Sequence, residues 1–174
     1  EPRRISMKRL RALSSVVDSP DVTAPEQHMR VHDYVSEMLS YNLPIFGRPR
    51  ASRWLAERGL EELDGLWMDE ISGEMNIELM AALAKHSPSD LLVFDTPSRH
   101  LNHTYMWLPH LEELAADEDH PRTVVAVVPH ISESWHGARA VVGRAPEENA
   151  PDPVEGEVES SNDSPEHGEN AEKE

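Results

Sequence analysis

The stretch Arg99-His-Leu-Asn-His-Thr-Tyr-Met-Trp-Leu-Pro-His-Leu111 decides how the chain is read. Leu101, Tyr105, Leu108, Leu111 and Leu114 recur at helical spacing, which predicts a helix over 100–114 that Pro109 bends. His100 and His103 stand three apart, and His103 and Trp107 four apart, so imidazole and indole lie one turn from each other. Working upstream, Leu91–Phe94 is a short apolar run bounded by Ser87-Pro88 and Thr96-Pro97. Ile71, Met75, Leu79 and Leu83 form one stripe of a helix over 69–85. Residues 51–63 read as a helix interrupted near Gly59. After Pro25, Val31, Val35, Met38 and Leu39 recur at helical spacing with Tyr34 beside them, and the Tyr41–Pro44 segment ends that helix. Asp18-Ser19-Pro20 reads as a stop followed by a cap. Downstream the period changes: Thr123–Val128 is a β-branched run and Arg139–Val142 a second, with Ser-Trp-His-Gly between them, the pattern of a hairpin.

Composition sets outer limits. The 174 residues make one domain, or one small domain with tails. Acids outnumber bases 33 to 16, a net charge of -17 that disfavours non-specific nucleic-acid binding. Hydrophobic residues are 38%, low enough that part of the chain belongs to no core. The absence of cysteine excludes disulfides, thiolate metal sites and a thiol nucleophile. No apolar run approaches the roughly 18–20 residues of a membrane span. Charge is uneven. Residues 145–174 hold eleven acids and one base, which is -10 of the total and leaves -7 for the first 144. With no aromatics and much Pro, Ser and Asn, that tail is expected to be disordered. The head carries Arg3, Arg4, Lys8, Arg9 and Arg11 against Glu1. It has the composition of a mitochondrial presequence, kept as an arm or folded as a helix end. The start at Glu1 rather than Met fits a processed or cut chain.

Familiar catalytic motifs are missing: no phosphate loop, dinucleotide fingerprint, zincin helix, nucleophile elbow or calcium loop. Leu91–Pro97 is similar to the strand-plus-aspartate that holds magnesium in P-loop enzymes, but no phosphate loop accompanies it. His28 and His32 share a helix face at metal-ligand spacing, an arrangement that is more often surface than ligand. Trp54, Trp67, Trp107 and Trp135 read as core or interface anchors, and Met68, Met75, Met80 and Met106 as gap-fillers. Glu61-Glu62 and Glu112-Glu113 read as solvated helix faces.

The run His100–Leu111 resembles the iron/manganese superoxide dismutase helix H-x-N-H-[ST]-x-[FY]-W-x-x-L. The preceding Ala81–Lys85 and Leu92–Phe94 resemble the approach to that helix. Glu26–Leu39 resembles the family's first long helix. One register, which keeps the apolar positions better, puts Glu26 at the metal-ligand position, Arg30 at the second His and Tyr34 at the active-site Tyr. Sliding by two puts His28 and His32 there and Ser36 in place of the Tyr. The resemblance makes His103 one ligand. The family's remaining ligands come from a D-x-W-E-H segment, whose nearest echo here is Ser132-Glu-Ser-Trp-His136, without the Asp. Only about 33 residues separate Glu112 from Arg144, too few for the family's second domain.

The resemblance therefore implies a mostly α, α+β chain. A long antiparallel helical hairpin is followed by a reduced β-hairpin remnant and a disordered acidic tail. The domains expected are a basic arm at 1–17, a degenerate dismutase-like domain at 18–144 and the tail at 145–174. The metal site is lost, with His103, Glu26, His28, Tyr34 and Trp107 as its vestiges, and no catalytic residue or cofactor is expected. Inactive dismutase-like proteins are structural subunits of the mitochondrial ribosomal small subunit. The expectation is a non-catalytic structural subunit of a large assembly in the mitochondrial matrix, held by protein neighbours. It has no membrane span, and Arg3, Arg4, Lys8, Arg9 and Arg11 are available to rRNA. Alternatives are an accessory subunit of a respiratory complex, or a dismutase completed by a partner. An unrelated helical binding module or a nucleotide-hydrolase remnant is the third class.

Overall fold

The computed structural model describes residues 5–101, 103–131 and 135–142. The chain divides into two compact units, 1–135 and 136–174. The first contains helices α1 (Met7–Leu13), α2 (Val31–Asn42), α3 (Ala51–Ala56), α4 (Gly73–Ala84) and α5 (Thr104–Ala115). It also contains strands β1 (Ser14–Val17), β2 (Leu91–Asp95) and β3 (Thr123–Val127). The described part of the second unit, 136–142, has neither helix nor strand.

The three strands form one parallel sheet in the order β1-β2-β3. The register aligns Val16 with Val93 and Val93 with Val125. Parallel neighbours need long crossovers. Here α2, α3 and α4 connect β1 to β2, and α5 connects β2 to β3. Because the strand order advances in one direction, right-handed crossovers place the helices on one face. Burial agrees: Leu92 and Phe94 are buried against α4 and α5, whereas Val16, Val125 and Val127 are exposed on the opposite face.

Helix α4 is the central post. Ser72 caps it, its Oγ accepting from the Met75 N–H at 3.2 Å. Leu79, Met80 and Leu83 pack toward α2 and α3, with Val31, Val35, Leu39, Trp54 and Leu55. Ile77, Ala81 and Ala84 pack toward the sheet and α5, with Phe94, Trp107, Leu111 and Leu114. A helix sandwiched in this way is apolar around most of its circumference. In α5, Pro109 is exposed, so the Tyr105 carbonyl that loses its helical donor is left on the solvent side.

The expected long antiparallel hairpin is not formed. Helices α2 and α5 are twelve residues each and belong to separate hydrophobic clusters, divided by α4. The β-hairpin remnant is also corrected. Thr123–Val127 pairs in parallel with Leu91–Asp95, and Arg139–Val142 is not a strand. The long-range parallel partners of β2 cover its backbone groups on both sides, an arrangement that a local hairpin cannot provide. Ser14–Val17, at the end of the basic head, is an edge strand, and Lys8, Arg9 and Arg11 lie exposed on α1. Arg3, Arg4 and the tail 145–174 lie outside the described residues. Among the described residues, no helix is long and apolar enough to cross a membrane.

Candidate functional site

In parallel sheets, ligands bind beyond the carboxyl ends of the strands, where connecting loops converge. At this edge β1 and β2 each run into an aspartate: Val16-Val17-Asp18 and Val93-Phe94-Asp95. The chain turns sharply after both strands, since Asp18 (φ 57°) and Thr96 (φ 54°) adopt the left-handed conformation. For Asp this is tolerable. For β-branched Thr it is strained, and surrounding contacts must hold it.

Those contacts form one connected cluster. The Asp18 side chain is 4% exposed. Its Oδ2 lies 2.6 Å from His100 Nε2 and 3.0 Å from Arg99 Nη2. Arg99 Nη2 also donates to the Asp18 main-chain oxygen at 2.6 Å. The second aspartate is likewise engaged: Asp95 Oδ2 accepts from Ser19 Oγ at 2.7 Å, and Asp95 Oδ1 accepts from Thr96 Oγ1 at 3.0 Å. Ser19 is anchored in turn, its N–H donating to Thr23 Oγ1 at 2.9 Å. A 3-10 turn at Pro97–Arg99 delivers Arg99 and His100 to Asp18. Helix α4 presses on this turn from below. A Cβ on Gly73, the first residue of α4, would stand 2.2 Å from the His100 carbonyl oxygen, so glycine is required for the approach.

Beside Asp18, a cleft of about 20 Å³ opens between β1, α2 and α4, lined by Ser15, Thr23, Tyr34, Asn42 and Met80 among others. It has room for about one water molecule. The Tyr34 hydroxyl donates to the Thr23 carbonyl oxygen at 3.3 Å and faces the Met80 sulfur at 3.3 Å. Burial pushes its pKa up, and the Asp18 charge adds to the effect.

The five residues expected as vestiges of a metal site do not converge. His103 is the N-cap residue of α5, exposed, with its ring stacked on Tyr105 at 5.3 Å. Glu26 and His28 are exposed, His28 standing 3.6 Å from Asp69. Tyr34 is buried in the α2–α3–α4 cluster and Trp107 in the sheet–α5 cluster. Trp107 buries its indole N–H without a hydrogen-bond partner among the described residues. His32 forms a surface group of its own, with Nδ1 2.8 Å from Asp64 Oδ1 and 3.4 Å from Ser52 Oγ. The hydrogen bond from His32 holds the Asp64 carboxyl below its usual range. Among the described residues, no three His, Asp or Glu side chains gather closely enough to hold a metal ion.

Sequence reasoning passed over Asp18, Arg99 and His100 as a group. Its one available signal was the repetition of an apolar run ending in Asp.

No protein-family model matches the chain, and no curated protein matches it. Among solved structures, a chain of a putative metal-chelate type ABC transporter in an inward-facing conformation is similar over 66% of this chain and 48% of its own. The identity is 21% and the TM-score 0.44. This chain therefore spans about half the length of that one.

Proposed function

We propose that the chain is a non-catalytic, protein-binding α/β module that serves as a structural subunit of a larger assembly. One observation carries the reading: the polar side chains at the carboxyl edge of the sheet are already each other's partners. Asp18 is held by Arg99 and His100, and Asp95 by Ser19 and Thr96. A ligand entering there has to break charge-assisted hydrogen bonds to a carboxylate that is almost fully buried. The residue after Asp95 is Thr96, which has no carboxylate to activate water. The finer assignment, to the mitochondrial ribosomal small subunit or to a respiratory complex in the matrix, draws support from the basic head and the cysteine-free composition.

A second reading has one feature in its favour. Asp95 ends the central strand of a parallel sheet, where a magnesium-holding aspartate stands in nucleotide hydrolases. One experiment separates the two. Purified native protein is assayed for magnesium-dependent ATP hydrolysis and for bound iron and manganese. It is then tested for co-sedimentation with ribosomal subunits and co-migration with respiratory complexes. The proposal expects residence in an assembly and no turnover. Hydrolysis abolished by Asp95→Asn, or stoichiometric iron or manganese with dismutase activity, contradicts it.

A further inference from the structure

Among the described residues of the unit 1–135, Phe46 and Ile45 are the most exposed large apolar side chains, at 94% and 81%, and they are adjacent at the tip of the loop joining α2 to α3. Tyr41, in the last turn of α2, is 73% exposed. Isolated surface apolars need no explanation, but two adjacent ones this exposed at a loop tip do. The loop is braced from beneath. Arg48 is partly buried, and its Nη2 donates to the Leu43 carbonyl at 3.0 Å and the Ser40 carbonyl at 3.4 Å, which caps the end of α2. Pro44 and Pro49 flank the tip, and Gly47 turns it at φ 85°. The two side chains are presented on backbone whose ordering cost falls before any partner arrives.

Charge suggests what the tip meets. Between residues 41 and 58 there are four arginines and one acid, Glu57, in a chain of net charge -17. Arg48 caps α2 and Arg58 lies over the Trp54 ring, so both face inward. Arg50 and Arg53 are exposed just beyond the tip, Arg53 sharing Glu57. We propose that Ile45 and Phe46 anchor the chain in an apolar pocket with an acidic rim on a partner protein, the rim pairing with Arg50 and Arg53. This rests on the reading that the chain works by binding proteins, and it names the surface used. A second copy is disfavoured because each copy carries -17. A bilayer is disfavoured because two inserted side chains anchor weakly.

The test places a benzophenone amino acid at position 46, and at Tyr105 (73% exposed) as a second exposed aromatic position for control, in the full chain within an extract of the source cells. The expected result is one dominant protein adduct specific to position 46. Peptide mapping should place it in an apolar pocket bordered by Asp or Glu, and R50E combined with R53E should reduce it at least tenfold. Phe46→Ala should leave the melting temperature unchanged, since the side chain is exposed, while lowering recovery of the mapped partner at least tenfold. Adducts identical at both positions, no adduct, or adducts only between copies of the chain overturn the proposal. Phe46-dependent co-sedimentation with phosphatidylserine vesicles assigns the tip to a membrane and also overturns it. None of these failures touches the turnover and assembly assays that judge the proposed function.

Discussion

Replacing Asp18 probes the closed edge of the sheet most sharply. Its side chain is 4% exposed, and both partners are on the loop after β2, with Arg99 and His100 side chains 30% and 27% exposed. Removing one member of a fully buried pair costs roughly 3–5 kcal/mol. Water reaches these partners in part, so the expected cost is lower. Asp18→Gly removes the carboxylate but relieves the left-handed backbone, worth about 1 kcal/mol, for a net loss of about 2 kcal/mol. Asp18→Asn keeps shape and backbone tolerance and loses only charge and one acceptor, a loss of about 1.5 kcal/mol. A 2 kcal/mol change lowers the melting temperature by roughly 8 °C for a domain of this size. Urea denaturation followed by tryptophan fluorescence measures both. Arg99→Ala completes a double-mutant cycle, and a coupling of at least about 1 kcal/mol is expected. A neutral Asp18→Asn, or strict additivity with Arg99→Ala, refutes the reasoning.

Gly73→Ala should destabilise by about 1–3 kcal/mol although alanine favours helices, because its Cβ lands on the His100 carbonyl. A neutral or raised melting temperature counts against the packing described. His86 accepts from Trp54 Nε1 at 2.8 Å and faces Arg58 Nη2 at 3.0 Å, so its Nε2 is unprotonated. Burial first, and Arg58 second, hold its pKa below the ordinary value. The unfolded chain takes up this proton near pH 6.5 while the folded chain resists it. Stability is therefore full above about pH 6.5 and falls as pH drops toward the lowered folded value. Urea midpoints between pH 7.5 and 5.5 should fall less steeply for His86→Gln, and an unchanged slope removes His86 from the effect. His103→Ala, which a dismutase-like hairpin makes costly to packing, should change stability by no more than about 0.5 kcal/mol, because the ring is exposed. Thermal melts decide between the two.

The helices were largely legible. The apolar stripes of α2 and α4 mark buried faces, that of α5 does so at Leu111 and Leu114 but not at the exposed Tyr105, and Gly59 interrupts its segment at φ 71° where the sequence placed the break. Leu91–Phe94 was legible as an apolar run. Its partners were not. β1 is Ser-Ser-Val-Val at the end of a basic stretch, too short and polar to stand out, and parallel pairing leaves no local turn to reveal it. Asp18-Ser19-Pro20 read as a helix boundary because a turn after a strand uses the same residues. The hairpin assigned to 123–142 followed from proximity in sequence, and the true partner of β3 is about thirty residues upstream. The site was hidden for the same reason. Asp18 and His100 are 82 positions apart, so no spacing rule links them. The His103 cluster drew the eye by composition, yet His103 faces solvent while Trp107 faces the core.

The most direct test follows the imidazole of His100 by nitrogen-edited NMR in the native chain, before and after saturating magnesium ATP. A clamp closed on Asp18 predicts a slowly exchanging ring N–H that vanishes in Asp18→Gly and is unmoved by nucleotide. A ring resonance that exchanges freely, or that shifts in a saturable titration, contradicts a sheet edge sealed by the protein's own side chains.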